Sequence, residues 1–306
     1  MTDLTFRPFE LEKDSTSYIA LLNKIASSKG EPQVTEEAQL EQAKALQEAS
    51  ITRDILVAKA EDKIIGFVEV WKIPQTLNAP VIIGVHPEWQ KQGLGQTLLK
   101  HAQQRARGLG ATAFLAYAKP DDAEAQAFFT ENNFVAVSGY RKMSLVLESE
   151  LTTPQWSEGF NVLPYAQVAK SDLYTEASRK GWSDLWGHTT PTEETTAATL
   201  EMFPPDGIFL LFSGEEVVGV CKTQLETDRK NNDAPTGYVD APGIAPKYRD
   251  EVNYRNILLE ALHWLYERGQ RRVVLESWGE LDMALAAYES LGFTLDEHEL
   301  GYALSL

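Results

Sequence analysis

One pattern occurs twice in this sequence. A β-branched apolar run, a turn, a long amphipathic helix, a strand, a short helix and a closing strand fill residues 81–147. The same order returns over residues 237–306. The halves align best at Leu98-Leu99-Lys100-His101-Ala102 against Leu258-Leu259-Glu260-Ala261-Leu262. They align again at Ala127-Phe128-Phe129 through Phe134 against Ala286-Ala287-Tyr288 through Phe293. A repeat at this scale predicts two similar domains, here 1–149 and 150–306. Residues 148–159 form the expected boundary: they are polar, contain Pro154 and show no period. The length of 306 residues and a hydrophobic content of 43% suit two packed cores.

Period and punctuation place the elements. In the first half, strands are expected at 4–9, 55–60, 64–73, 81–85 and 112–118. A closing hairpin of 134–137 and 140–147 is expected around Ser138-Gly139. Helices are expected at 14–24, 35–49, 94–108 and 121–131. The second half repeats this with strands at 160–165, 208–212, 217–225, 237–244, 272–277 and 301–306. Its helices are expected at 168–180, 193–203, 256–268 and 281–291. Strands and helices interleave without strict alternation. The expected class is α/β with a mixed sheet, in the α+β sense.

The most informative stretch is residues 81–110. Val81-Ile82-Ile83-Gly84-Val85 reads as a buried strand, and Pro87 stops it. Gln90-Lys91-Gln92-Gly93-Leu94-Gly95 follows, and Leu94, Leu98, Leu99, Ala102 and Ala106 then line one face of a helix ended by Gly108 and Gly110. Glycines at 93 and 95 allow φ > 0 and close backbone approach. The first amides of a helix lack intrahelical partners and sit at the positive end of its dipole. Strand, glycine turn and helix together make a cradle for a pyrophosphate. Lys91 and His101 add positive character nearby. No Gly-Lys-Ser/Thr follows, so this is not a Walker loop, and Leu98 stands where a dinucleotide fingerprint needs its third glycine.

The phrase resembles the acyl-CoA motif of the GNAT acyltransferase superfamily, Q/R-x-x-G-x-G/A after a strand ending V-x-P. Gln90, Gly93 and Gly95 fill it in register behind Val85-His86-Pro87. The element order of the first half also matches, and the repeat resembles tandem acetyltransferases of the mycothiol synthase type. The resemblance implies acetyl-CoA as acyl donor. Its pantetheine arm would lie along Ile83, Gly84 and Val85. Its pyrophosphate would meet the amides of Gln90, Lys91, Gln92, Gly93, Leu94, Gly95 and Gln96.

The second half departs from that motif. Its loop is Pro246-Lys247-Tyr248-Arg249-Asp250-Glu251-Val252-Asn253-Tyr254-Arg255, with Asn253 at the place of Gly93 and Arg255 at that of Gly95. Side chains replace both glycines, and Asp250 and Glu251 oppose a phosphate. Lys247, Arg249 and Arg255 are the alternative, side-chain route to a phosphate. Family members often carry a tyrosine acid on the helix after the fifth strand. The second half has Tyr288 there and the first has Phe129. Each also reads as core packing. At the position of a fifth-strand glutamate base, the second half has Glu276 and the first Tyr117. Tyr117 is therefore the candidate proton carrier of the first half. Glu69, which interrupts an apolar strand, is the candidate base, with His86 as a further candidate or a plain surface histidine. Trp71, Trp182, Trp186 and His188 are candidates for a substrate pocket or for core.

Composition narrows the partners. There are 28 Lys+Arg against 45 Asp+Glu, a formal charge of −17. Such a surface repels nucleic acid and anionic membranes and fits a cationic amine. Cys221 is the single cysteine, so no internal disulfide and no cysteine metal cluster can form. It lies in an apolar strand and reads as core. No metal is expected. The N-terminal stretch has no basic region leading into an apolar core, and no apolar run approaches a membrane span, so a cytoplasmic monomer or homodimer is expected. The reading is an N-acetyltransferase that moves an acetyl group from acetyl-CoA to a small primary amine by direct transfer, in the first domain. The alternative is a CoA-binding regulatory or scaffold protein without turnover.

Overall fold

The computed structural model describes residues 4–48, 52–72, 77–147, 151–185, 188, 190–226, 235–279 and 281–306. It contains two compact units, residues 1–136 with 301–306, and residues 137–300. The expected division at 149/150 lies outside the described residues.

The first unit opens with β1 (Leu4–Pro8), α1 (Leu11–Lys29) and α2 (Glu36–Glu48). Helix α1 is longer than expected, since Gly30 at φ 69° is the first residue able to stop it. Strands β2 (Thr52–Ala60) and β3 (Lys63–Lys72) form a hairpin turned by Glu61 at φ 53°. Strand β4 (Asn78–Val85), α3 (Leu94–Gly108), β5 (Ala113–Ala118) and α4 (Ala123–Glu131) follow. Leu94, Leu98, Leu99, Ala102 and Ala106 are the buried residues of α3, the face the heptad spacing predicts. Asp122 caps α4 by accepting from Ala125 N at 3.0 Å, and Asn133 takes the left-handed position after it at φ 64°.

The expected closing hairpin does not form. Residues 135–146 are one strand, β6 (Val135–Val146), which runs straight through Ser138-Gly139. Gly139 is not among the positive-φ residues, so the pair offers no turn geometry and the chain stays extended. From Val137 onward β6 belongs to the second unit. The first sheet runs β1-β2-β3-β4-β5 and ends on residues 301–306, where Leu306 N donates to Thr112 O at 2.8 Å. Neighbours β1 to β4 are antiparallel, while β4 and β5 are parallel.

In the second unit, β7 (Phe160–Pro164) leads to α5 (Tyr165–Val168) and α6 (Ser171–Trp182). These were expected as one helix; Ala169 at φ 49° divides them. Helix α7 (Glu193–Met202) starts with a capping box of Thr192 and Thr195. Strands β8 (Ile208–Ser213), β9 (Glu216–Leu225), β10 (Thr236–Asp240) and β11 (Gly243–Ile244) follow. The expected strand 237–244 breaks at Ala241-Pro242, where proline has no N–H for a ladder. Helix α8 (Glu251–Glu267), β12 (Arg272–Trp278), α9 (Asp282–Ser290) and β13 (Thr294–Ser305) complete the chain. The sheet order is β13-β6-β12-β10-β9-β8-β7, with β10 and β12 parallel. Its core is built on α8, whose Ile257, Leu258, Ala261, Leu262 and Leu265 are fully enclosed.

Candidate functional site

In the first unit, β4 leads into a single turn of 3₁₀ helix, Pro87–Trp89, which His86 caps by accepting from Glu88 N at 3.3 Å. His86 is thereby a turn-forming residue. Lys91 at φ 60° and Gly93 at φ 83° then reverse the chain into α3. Thr97 N donates to Gly93 O at 3.0 Å, the first bond of the helix. The amides of Leu94, Gly95 and Gln96 thus have no acceptor inside the helix. Gly93 provides no capping side chain, and the first turn carries no acidic residue. A Cβ at Gly93 would meet nothing within 4 Å, whereas one at Gly95 would lie 3.0 Å from the Phe128 ring. Gly93 is required by its φ and leaves open space; Gly95 is required by packing. Lys91 is exposed at the rim and pairs with Glu124 at 2.7 Å. His101 is not part of this cradle. It lies seven residues into α3, about 10 Å along the axis, and stacks on Phe6 at 5.1 Å.

The strands beside the loop separate. Pairing of β4 with β5 ends at Pro80↔Leu115. His86 N donates to Ile65 O, so alternate residues 84 and 82 also bond toward β3, and the amides and carbonyls of Ile83 and Val85 point the other way, into the gap. Gln90 Nε2 reaches Val85 O at 3.4 Å. Gly84 has the Phe67 ring against it, where a Cβ would come within 2.1 Å. Register places Pro80, Ile82, Leu115 and Tyr117 on one face of the sheet, the face that Phe67, Glu69 and Trp71 share toward α1. Ile82 is 45% exposed there. Tyr117 is half-buried and stands two residues beyond the last β4–β5 pair.

Glu69 is on that face but is only 2% exposed. It accepts from Arg53 Nε at 2.7 Å and Nη2 at 2.5 Å, from Trp71 Nε1 at 3.1 Å and from the Tyr18 hydroxyl. Burial and the Glu69 charge push the Tyr18 hydroxyl far above its ordinary range, so it remains a donor. With both oxygens engaged, Glu69 ties α1 and β2 to β3. The geometry gives it this tethering job and leaves Tyr117 as the polar group at the gap. Phe129, at the expected tyrosine position, packs at 5.1 Å on both Phe134 and Tyr302.

The second unit shows the same framework closed. Arg249 stands five residues beyond Ile244, as Gln90 does beyond Val85, and its Nε donates to Ile244 O at 2.7 Å. Reading the loop back from the helix hid this equivalence; reading it forward from the strand reveals it. The Arg249 guanidinium is held by Asp184 at 2.6 and 2.7 Å and by Gly181 O at 3.2 Å. Helix α8 begins at Glu251, three residues ahead of Tyr254, the residue aligned with Leu94. The stretch that is a loop in the first unit is here the first helical turn. Asp250 caps it, accepting from Asn253 N at 2.7 Å and from Asn253 Nδ2 at 3.1 Å.

On the strand side, Trp182 packs over Gly243, where a Cβ would lie 2.6 Å from the indole, and its Nε1 donates to Ala241 O at 3.2 Å. Tyr288 is 1% exposed within the core around α8. Glu276 is exposed on β12 and, with Glu297 and Glu299, pushes the Tyr140 hydroxyl above its ordinary range, after burial as the first cause. Cys221 is fully buried and burial pushes its thiol up. Trp186 lies outside the described residues. Among the described residues, no group of three His, Cys, Asp or Glu is arranged to hold a metal, and no helix is long and apolar enough to cross a membrane.

The sequence profile of the Acetyltransferase (GNAT) family matches residues 18–134 and, separately, residues 171–293. A mycothiol acetyltransferase of Amycolatopsis mediterranei (strain U-32) is 24% identical over 81% of this chain and 83% of its own length. Another from Thermomonospora curvata is 27% identical over 83% of each chain. Among solved structures, a GCN5-related N-acetyltransferase from Sphaerobacter thermophilus superposes with a TM-score of 0.69 at 18% identity, covering 99% of this chain and 95% of that one. A tandem GNAT protein from the clavulanic acid biosynthesis pathway gives 0.56 at 16% identity, covering 99% and 98%. At these identities the structural likeness concerns the fold.

Proposed function

The chain belongs to the acetyltransferase (GNAT) family, and from that premise we propose that its first unit holds acetyl-CoA and passes the acetyl group to a small primary amine. The family and the named relatives make the protein an N-acetyltransferase of GNAT type. The observation that carries the choice of unit is the helix terminus. The free amides of Leu94, Gly95 and Gln96, the open side of Gly93 and the unpaired edge at Ile83 fit a thioester cofactor with a pyrophosphate. Residues 90–96 would hold the pyrophosphate and Ile83 to Val85 the pantetheine amides. Bound there, acetyl-CoA supplies an activated acyl group.

The chain's own residues do the rest. Ile82, Leu115 and Tyr117 line the gap and exclude water from it. Tyr117 holds a hydroxyl proton where a departing thiolate can take it. Thiolate is a good leaving group near neutral pH, so positioning is the larger contribution. The first unit has no cysteine to carry an acyl group, which supports direct transfer in a ternary complex. The relatives support acetyl transfer; the acceptor of this chain is read only as a primary amine, which its charge of −17 suits.

Phe129 favours a second reading, CoA binding without turnover, because it cannot donate a proton where relatives of this fold class often can. Release of free CoA thiol from acetyl-CoA, measured across a panel of primary amines, separates the two. Acetyl transfer predicts turnover with at least one amine and its loss in Gly93→Val. CoA binding with no release for any amine supports the second reading.

A further inference from the structure

Pairing fixes which residues of the two units correspond. Gly66 opposes Val85 in the first unit, and Gly219 opposes Ile244 in the second. Three residues beyond each glycine stand Glu69 and Lys222. The same strand position therefore carries a buried carboxylate in one unit and a buried ammonium in the other. In the first unit Glu69 is neutralised by Arg53. In the second, Lys222 Nζ lies 2.8 Å from Asp240 Oδ2, 4.6 Å from the centroid of Phe203 and 5.4 Å from that of Trp182.

This surround is the one that recognises an alkylammonium ion: two aromatic faces and a carboxylate on a desolvated cation. It is also built rather than incidental. Trp182 is fixed by its bond to Ala241 O and by a parallel stack on His188 at 5.8 Å and 7°. His188 Nε2 is within 2.9 Å of Trp278 O, and burial holds the ring pKa below its ordinary value, so the imidazole does not compete as a cation. The lysine is 13% exposed, yet Asp240 is 46% exposed, so the cage has an open side at the carboxylate.

We propose that the second unit contains a binding site for a small primary alkylammonium, formed by Trp182, Phe203 and Asp240, and that Lys222 is its resident ligand. The site is independent of the acetyl-CoA site proposed for the first unit. It explains why Lys222 is tolerated inside an apolar strand between Cys221 and Thr223, both fully buried. The lysine satisfies a cage that would otherwise hold a carboxylate and two π-faces without a cation.

Chemical rescue of the full chain tests it. Lys222→Ala removes three methylene groups and the ammonium, which n-propylammonium replaces atom for atom. The variant should melt below the wild type. Millimolar n-propylammonium chloride should then restore at least half of the loss with saturation, leaving the wild type unmoved, and n-propanol or sodium chloride should not. Lys222→Ala with Asp240→Asn should show no saturable rescue. Equal effects on variant and wild type, or equal rescue with and without Asp240, overturn the proposal. If Lys222→Ala does not fold in either condition, Lys222→Met decides. It keeps the stem without the charge and must melt below the wild type; melting at or above it overturns the proposal.

Discussion

Helices α3 and α8 follow equivalent strands and satisfy their first amides in opposite ways. The N-terminus of α3 begins at a glycine with φ 83°, without an acidic residue or a capping side chain. That of α8 begins at Asp250, whose carboxylate takes the Asn253 amide, after a loop absorbed into the helix. The first arrangement is less stable by itself, since a missing cap leaves donors to water or a ligand. The second gains a cap and gives up the anion site. The difference teaches that the repeat retains its packing while its chemistry is carried by a few loop residues. Gln90 and Arg249 still make the same bond to the preceding strand, so the turn survives in both units, and only the glycines decide whether a phosphate can reach the amides.

The largest expected effect concerns the tether. Glu69→Ala leaves Arg53 buried without its carboxylate and should cost about 3–5 kcal/mol in urea unfolding. A loss near zero would mean the network does not hold α1 to the sheet. Next, Tyr117→Phe should lower kcat about tenfold with KM for acetyl-CoA unchanged, a barrier change of about 1.4 kcal/mol. An unchanged kcat would remove Tyr117 from the chemistry. Asp250→Ala should destabilise by about 1 kcal/mol, the worth of a cap, and should leave CoA affinity as it was. Any CoA affinity gained by that variant would show that the second loop is closed by its cap alone.

The smallest effect is in pH. Burial, with Lys222 adding to it, lowers the His188 pKa, while Trp278 O and Asp240 oppose. The unfolded state then binds the proton more readily. The contribution is complete above the unfolded pKa of about 6.5 and is lost as pH falls through it. His188→Phe should therefore flatten the fall in melting temperature between about pH 7 and 5.5. An equal slope in both proteins would deny His188 that part.

Much of this was legible in the sequence. The buried face of α3 follows directly from apolar spacing, and the glycine turn from Gly93. What escaped has physical causes. Ser138-Gly139 reads as a turn locally, but glycine tolerates extended backbone equally well, and pairing with β12 decides. Glu69 looked like an active-site carboxylate because it breaks an apolar strand. Its partners Tyr18 and Arg53 lie 51 and 16 residues away, beyond any local pattern. The Lys222 cage was within reach of the sequence, through the alignment of Gly66 with Gly219, but its aromatic walls come from α6 and the residue after α7.

The central claim is that one unit of the repeat holds the cofactor and the other does not. Titration calorimetry of the full chain with CoA tests this most directly. The account predicts saturation at one CoA per chain, and loss of about 10²-fold or more in affinity in Gly93→Val, where a β-branched side chain cannot keep the left-handed turn that presents the amides. Saturation at two CoA per chain, or undiminished affinity in Gly93→Val, would contradict it.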